Sequence, residues 1–154
     1  YPKTEFNMIG FIEPTEMHYK KILEDLEAND IVHYHGSQKD VKPFIARSHA
    51  LIHPSIYGEG MSNVLLENGS SGRFLITTDN PGCRETVQDG KTGYIYTGGM
   101  VADLVNNINQ FLLMDNHDRK IKGEIGREYV KNKFSRELVV KEYKKQIRDL
   151  IRYE

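Results

Sequence analysis

Short strand-like apolar runs alternate along the chain with longer stretches in which apolar residues return every three or four positions. The runs Glu5–Phe11, Ile31–His35, Ala50–His53, Phe74–Thr78 and Tyr94–Tyr96 predict strands. Helical spacing predicts helices from Thr15 to about Ala28, from Val41 to Arg47, from Met61 to about Ser70 and, briefly, near Cys83–Gln88. Three more follow, over Val101–Leu113, Asp118–Lys133 and Arg136–Arg152. Such alternation predicts an α/β fold, a Rossmann-like parallel sheet flanked by helices and joined by right-handed crossovers. One domain over residues 1–154 is expected, sheet-forming to residue 97 and helical from 98, with Gly98-Gly99 as the joint. In the last helix Val139, Val140, Tyr143, Ile147, Leu150 and Ile151 share a face opposite lysines and arginines, and packing on its own domain is the simplest reading.

The chemistry concentrates after the third predicted strand. Ile52-His53-Pro54-Ser55 closes an apolar run, and Gly58, Gly60, Ser62 and Asn63 form a turn before Val64-Leu65-Leu66. A strand, a glycine turn and a helix start stand in sequence there, at the carboxyl end of a strand, where parallel sheets bind ligands. Backbone N–H groups at a helix start lack partners and the dipole is positive, so a phosphate or diphosphate binds without any lysine. Glu59 and Glu67 flank this start. If the segment were helical throughout, they would lie roughly 12 Å apart along the axis, too far to share a proton. Ionised carboxylates are pure acceptors that bind sugar hydroxyls through charge-assisted bonds, so the pair suits two distant hydroxyl-bearing parts of an elongated ligand. A nucleotide-sugar, with ribose, diphosphate and hexose in series, has that layout.

Composition narrows the field. At 154 residues the chain has the usual size of one soluble domain and is long enough to bury a sizeable core. A formal net charge of −1 and the lack of a long basic block argue against nucleic acid as a partner. The lone Cys83 excludes an internal disulfide framework, suits a reducing compartment and reads as a turn residue. No apolar run approaches the roughly 20 residues of a membrane span, and the start has no signal-peptide form, so a cytoplasmic protein is expected.

The ordered words of the chain resemble a known family. Glu59 to Glu67 matches the E-x7-E signature of retaining glycosyltransferases of the GT-B fold. The flanking words resemble family 4 (group 1): His53-Pro-Ser, Gly72-Arg-Phe-Leu-Ile-Thr-Thr-Asp79, Pro81-Gly-Cys-Arg-Glu85 and Asp89-Gly-Lys-Thr-Gly-Tyr94, with Gly126-Arg127 and Phe134-Ser135 resembling its closing helices. The wording Glu-Gly-Met-Ser-Asn-Val-Leu-Leu-Glu is similar to bacterial enzymes that build capsule, O-antigen (lipopolysaccharide) and glycan-lipid oligosaccharides.

This resemblance implies the C-terminal, donor-binding half of a GT-B enzyme that moves a hexose from a nucleoside-diphosphate sugar, with UDP favoured, to an acceptor hydroxyl with retention. It implies that Glu67 binds the donor ribose and that Glu59 contacts the hexose as the catalytic carboxylate. The backbone of Gly60, Met61, Ser62 and Asn63 would hold sugar and diphosphate, and Gly36 and Ser37, after the second strand, would lie near the nucleobase. No metal or other cofactor is expected, since helix dipole and cations replace it. Implied partners are the donor, a glycan or lipid-linked acceptor and the enzyme's N-terminal acceptor domain, to which the final helix would cross back. A peripheral position at the inner face of the membrane would suit such an acceptor.

One departure weighs against activity of the chain alone. Members carry a Gly-Arg…Lys-Gly segment whose cations neutralise the departing diphosphate. This chain starts downstream of any such segment, and its only early cation is Lys3. A fragment with little or no transferase activity is therefore expected. Alternatives remain: a GT-B sugar-nucleotide epimerase, or a non-enzymatic doubly wound nucleotide-binding module in which both glutamates are surface carboxylates. Other residues read more plainly. His33 and His35 alternate toward one face without an apparent third metal ligand. His53 reads as a packed or hydrogen-bonded strand-end residue that could border the donor pocket, and Glu85 as a helix cap or a ligand contact.

Overall fold

The computed structural model describes residues 4–58 and 60–151, which form two compact units, Tyr1–Pro43 and Phe44–Glu154. Lys3, Glu59 and Arg152 lie outside the described residues.

In the first unit, β1 (Asn7–Met8) pairs in parallel with β2 (His33–Tyr34), Asn7 opposite His33 and Met8 opposite Tyr34. Both are shorter than predicted, yet the pairing runs on beyond them. The His33 N–H donates to Phe6 O at 2.8 Å, the His35 N–H to Met8 O at 2.9 Å and the Gly10 N–H to Gly36 O at 3.0 Å. The predicted helix from Thr15 splits into a 3-10 turn at Pro14–Glu16 and α1 at Tyr19–Ala28, which buries Leu23. Asn29 closes α1 by donating its side-chain amide to Asp25 O at 2.7 Å, and Asp30 turns the chain at φ 56°. α2 (Lys42–Arg47) begins at the end of this unit, and most of its residues belong to the second.

In the second unit, β3 (Ala50–His53), β4 (Phe74–Thr78) and β5 (Gly93–Tyr96) form a parallel sheet in the order β3-β4-β5. β4 is buried at every residue because both its faces are covered, which is why it reads as an unbroken apolar and β-branched run. Its side chains alternate between two cores, as strand geometry requires. Leu75 joins Leu65, Cys83 and Val87 beneath α3 (Asn63–Ser70). Phe74 and Ile76 join Tyr96 and Phe111, packed with Leu104 and Ile108 of α4 (Val101–Leu113). Cys83, at 0% exposure, is a core residue as well as a turn residue.

α5 (Asn116–Phe134) starts two residues before its predicted start because Asp115 caps it, accepting from the Asp118 N–H at 2.8 Å. It lies close against the end of α3. A Cβ on Gly123 would stand 2.1 Å from Gly72 O, and one on Gly69 would stand 2.9 Å from the Val130 side chain. Glycine permits this approach. α6 (Arg136–Ile151) buries none of its residues, so the expectation that its apolar face packs on its own domain is not met. Tyr143 is 68% exposed and Leu150 70%. Among the described residues, no helix is long and apolar enough to cross a membrane.

Candidate functional site

The loop from β3 to α3 is tied down by the end of β4. His53 sits opposite Thr77, and Thr77 Oγ1 donates to His53 O at 3.1 Å. Thr78 Oγ1 and Asn80 Nδ2 both donate to Ser55 O, at 2.7 and 2.8 Å. The Ser62 N–H then donates to Gly82 O at 3.1 Å, so both ends of the loop rest on residues 77–82. Thr77 and Thr78 are fully buried, and hydroxyls in such a place need acceptors. The carbonyls of the neighbouring loop supply them. Thr78 and Asn80 therefore shape the site, although nothing in the motif pattern had singled them out. The available signal was a pair of hydroxyl residues at the carboxyl end of an otherwise apolar strand.

α3 begins at Asn63, not Met61, because Ser62 is its extended N-cap residue, with φ −70° and ψ 107°. The 12 Å reckoned along one continuous helix from Glu59 to Glu67 therefore does not apply. Ser62 is 1% exposed, and its hydroxyl makes no cap bond to the helix. Instead Ser62 Oγ and His53 Nε2 share a hydrogen bond of 3.3 Å. The Leu66 N–H is the first to reach back, to Ser62 O at 3.1 Å. The N–H groups of Asn63, Val64 and Leu65 consequently have no intrahelical acceptor, and the positive end of the helix dipole lies there.

Gly60, Met61 and Asn63 are exposed at this helix start. Glu67 lies one turn further on, exposed, and lines a cleft of about 410 Å³ together with Arg127, Lys131, Phe134 and Ser135. The structure thus gathers Gly60, Met61, Ser62, Asn63 and Glu67 at and along one helix. Gly36 and Ser37 follow β2 in the other compact unit, where Gly36 adopts φ 62° and Ser37 is exposed. Glu59 belongs to the undescribed residues.

The remaining candidates have local partners. Glu85 accepts from the Gly82 N–H at 2.8 Å and from Arg84 Nε at 3.1 Å, which braces the turn after β4. Its carboxyl pKa is lowered, chiefly by its own backbone N–H, with Arg84 and the Gly82 N–H adding to this against a desolvation that raises it. Tyr129 of α5 donates to Glu85 O at 2.9 Å. His35 Nε2 bonds Asn7 Oδ1 at 2.7 Å, and His33 Nε2 lies 3.9 Å from Asp30 Oδ1. Among the described residues, no group of three or more His, Cys, Asp or Glu is arranged to hold a metal ion.

Known proteins are similar to this chain in sequence and in fold. The family described as glycosyl transferases group 1 matches residues 1–129. The lipopolysaccharide core biosynthesis glycosyltransferase LpsE of Rhizobium meliloti is 29% identical over 123 residues, 80% of this chain and 36% of that protein. The N-acetyl-alpha-D-glucosaminyl L-malate synthase of Bacillus anthracis is 30% identical over 132 residues, 86% of this chain and 34% of the enzyme. The chain thus spans about a third of the length of these relatives. Among solved structures, Anabaena HepE in complex with UDP superposes with a TM-score of 0.87 at 20% identity, over 97% of this chain and 42% of HepE. The C-terminal domain of the group 1 protein LpcC from Francisella tularensis superposes with a TM-score of 0.77 at 20% identity, over 88% of this chain and 72% of that domain. One family accounts for the sequence from residue 1 into α5, and the solved GT-B enzymes repeat the same parallel α/β fold; the chain belongs to the group 1 glycosyl transferases.

Proposed function

We propose that the chain is the donor-binding half of a longer retaining glycosyltransferase that moves a hexose from a UDP-sugar to an acceptor hydroxyl in polysaccharide or glycolipid synthesis. The observation that carries this reading is the start of α3, where Ser62 makes no side-chain cap bond and Gly60, Met61 and Asn63 are exposed. Relatives named for lipopolysaccharide core and capsular polysaccharide synthesis support the substrate class. Fold neighbours solved with UDP and UDP-glucose support the donor.

In this reading the N–H groups of Gly60, Met61 and Asn63, those of Val64 and Leu65 at the helix start, and the α3 dipole hold the donor diphosphate and stabilise the negative charge that grows on it as the glycosidic bond breaks, while the Ser62 N–H stays with Gly82 O. Glu67 accepts hydrogen bonds from the ribose hydroxyls. Glu59, beside the hexose, stabilises oxocarbenium-like positive charge. Both effects are stronger in the transition state than in the ground state, which is the condition for accelerating the reaction. Gly36 and Ser37 border the nucleobase, and the site works without a metal. The rest of the enzyme supplies the acceptor domain, the cations for the leaving diphosphate and a partner for the apolar face of α6. Residues 1–154 alone are inactive in transfer, and the enzyme is cytoplasmic, peripheral to the membrane where its acceptor is lipid-linked.

Calorimetric titration of this chain with UDP, UDP-N-acetylhexosamine and GDP tests the reading. Saturable UDP binding is expected, and Glu67→Ala is expected to weaken it by about 10- to 100-fold, the loss of a charge-assisted bond of about 1.5–3 kcal/mol. A folded chain that binds no nucleotide, or a Glu67→Ala variant that binds UDP like the parent, overturns the assignment.

A further inference from the structure

We infer that His53 is a positioning residue that keeps the start of α3 open by holding the N-cap serine away from it. The inference rests on the donor-site reading above and adds a residue to that site which contacts no ligand itself.

Serine is among the best helix N-caps, since its hydroxyl accepts from the N–H of the second or third helical residue, here Val64 or Leu65. Such a cap would occupy the N–H groups that a diphosphate needs. Ser62 stands at the cap position and makes no such bond. It is held on three sides: its N–H by Gly82 O, its carbonyl by the Leu66 N–H and its hydroxyl by His53 Nε2. His53 is anchored in turn, because it ends β3 opposite Thr77 and its carbonyl accepts from Thr77 Oγ1. The ring therefore projects from a rigid strand end toward a residue that is 1% exposed. A hydroxyl so deeply buried needs a partner. With the imidazole removed, the N–H groups of its own helix are the partners that an N-cap serine ordinarily takes, and Ser62 becomes an ordinary cap that competes with the ligand.

The test uses His53→Leu, which keeps bulk and lacks the ring nitrogen, with His53→Ala as a second variant, each alone and combined with Ser62→Ala. Amide hydrogen exchange on the unliganded chain reads the cap directly. Exchange at Val64 or Leu65 is expected to slow by about fivefold in the His53 variants, as a cap of ~1 kcal/mol implies, and to return to the parental rate once Ser62→Ala is added. UDP affinity is expected to fall by about the same factor in the His53 variants and to recover in the double variants, whereas uridine, which carries no phosphate, binds all of them alike. Unchanged exchange at both amides overturns the inference. So does a loss of UDP affinity that the second substitution fails to restore, because His53 or the Ser62 hydroxyl would then serve the ligand directly. Failure of the parent chain to bind UDP overturns the donor-site reading instead, and the exchange comparison still decides the role of His53.

Discussion

Glu85, which the sequence leaves open between a helix cap and a ligand contact, has a local bracing role in three dimensions. Its carboxylate braces the turn after β4 through the Gly82 N–H and Arg84, and its own backbone N–H, with those two partners adding to it, holds its pKa below the ordinary 4.5. A lowered pKa means the contribution to stability is complete above the unfolded-state value and is lost as pH falls through the folded-state value. Thermal melts of Glu85→Gln and the parent should therefore differ slightly at neutral pH and converge in acid, and the group's exposure keeps the difference small. A gap that widens in acid would contradict this. The assigned role of Glu59 predicts that Glu59→Gln in the longer enzyme lowers turnover by about 10²-fold while leaving UDP affinity nearly unchanged, as steady-state kinetics and calorimetry would show. Most of the candidate site was legible at this scale, since Gly60 to Glu67 are contiguous and carry their chemistry in their order. Thr78 and Asn80 were not, because they act on Ser55 from more than twenty residues away.

Among the elements, β3, β4 and α4 have their predicted boundaries, and the departures have local causes. Pro14 and the 3-10 turn it opens delay α1 to Tyr19, Ser62 delays α3 to Asn63, and Asp115 advances α5 to Asn116. Helical periodicity marks which residues face the core and is weakly sensitive to where the first turn closes, which a cap decides. The packing of α5 against α3 depends on Gly123 lying against Gly72 O. Gly123→Ala places a methyl group where backbone already stands, and it is expected to destabilise the chain by about 1–3 kcal/mol despite alanine's better helix propensity. Denaturant unfolding checks the sign. A stabilised variant would mean that the helices separate freely and that the cleft beside Glu67 is not a rigid feature.

Over the whole molecule, the apolar face of α6 is the clearest departure from expectation. Its periodicity predicted a buried helix, yet Val139, Val140, Tyr143, Ile147, Leu150 and Ile151 all remain exposed. Ile147→Ala in this chain should accordingly change stability by no more than about 0.5 kcal/mol, far from the several kcal/mol of a core truncation, and equilibrium unfolding distinguishes the two. Sequence alone determined the alternation of strands and helices, the parallel α/β class, the family and the helix that carries Glu67, because each of these depends on periods or words read within a short window. The tertiary structure alone decided that β4 is buried on both faces, that the β3–α3 loop hangs from Thr78, Asn80 and Gly82, and that His53 diverts Ser62 from capping α3. These features join strands and loops remote from one another in the chain. No local pattern records which buried hydroxyl meets which carbonyl, since that pairing is set by strand register and by the absence of any other partner in the core.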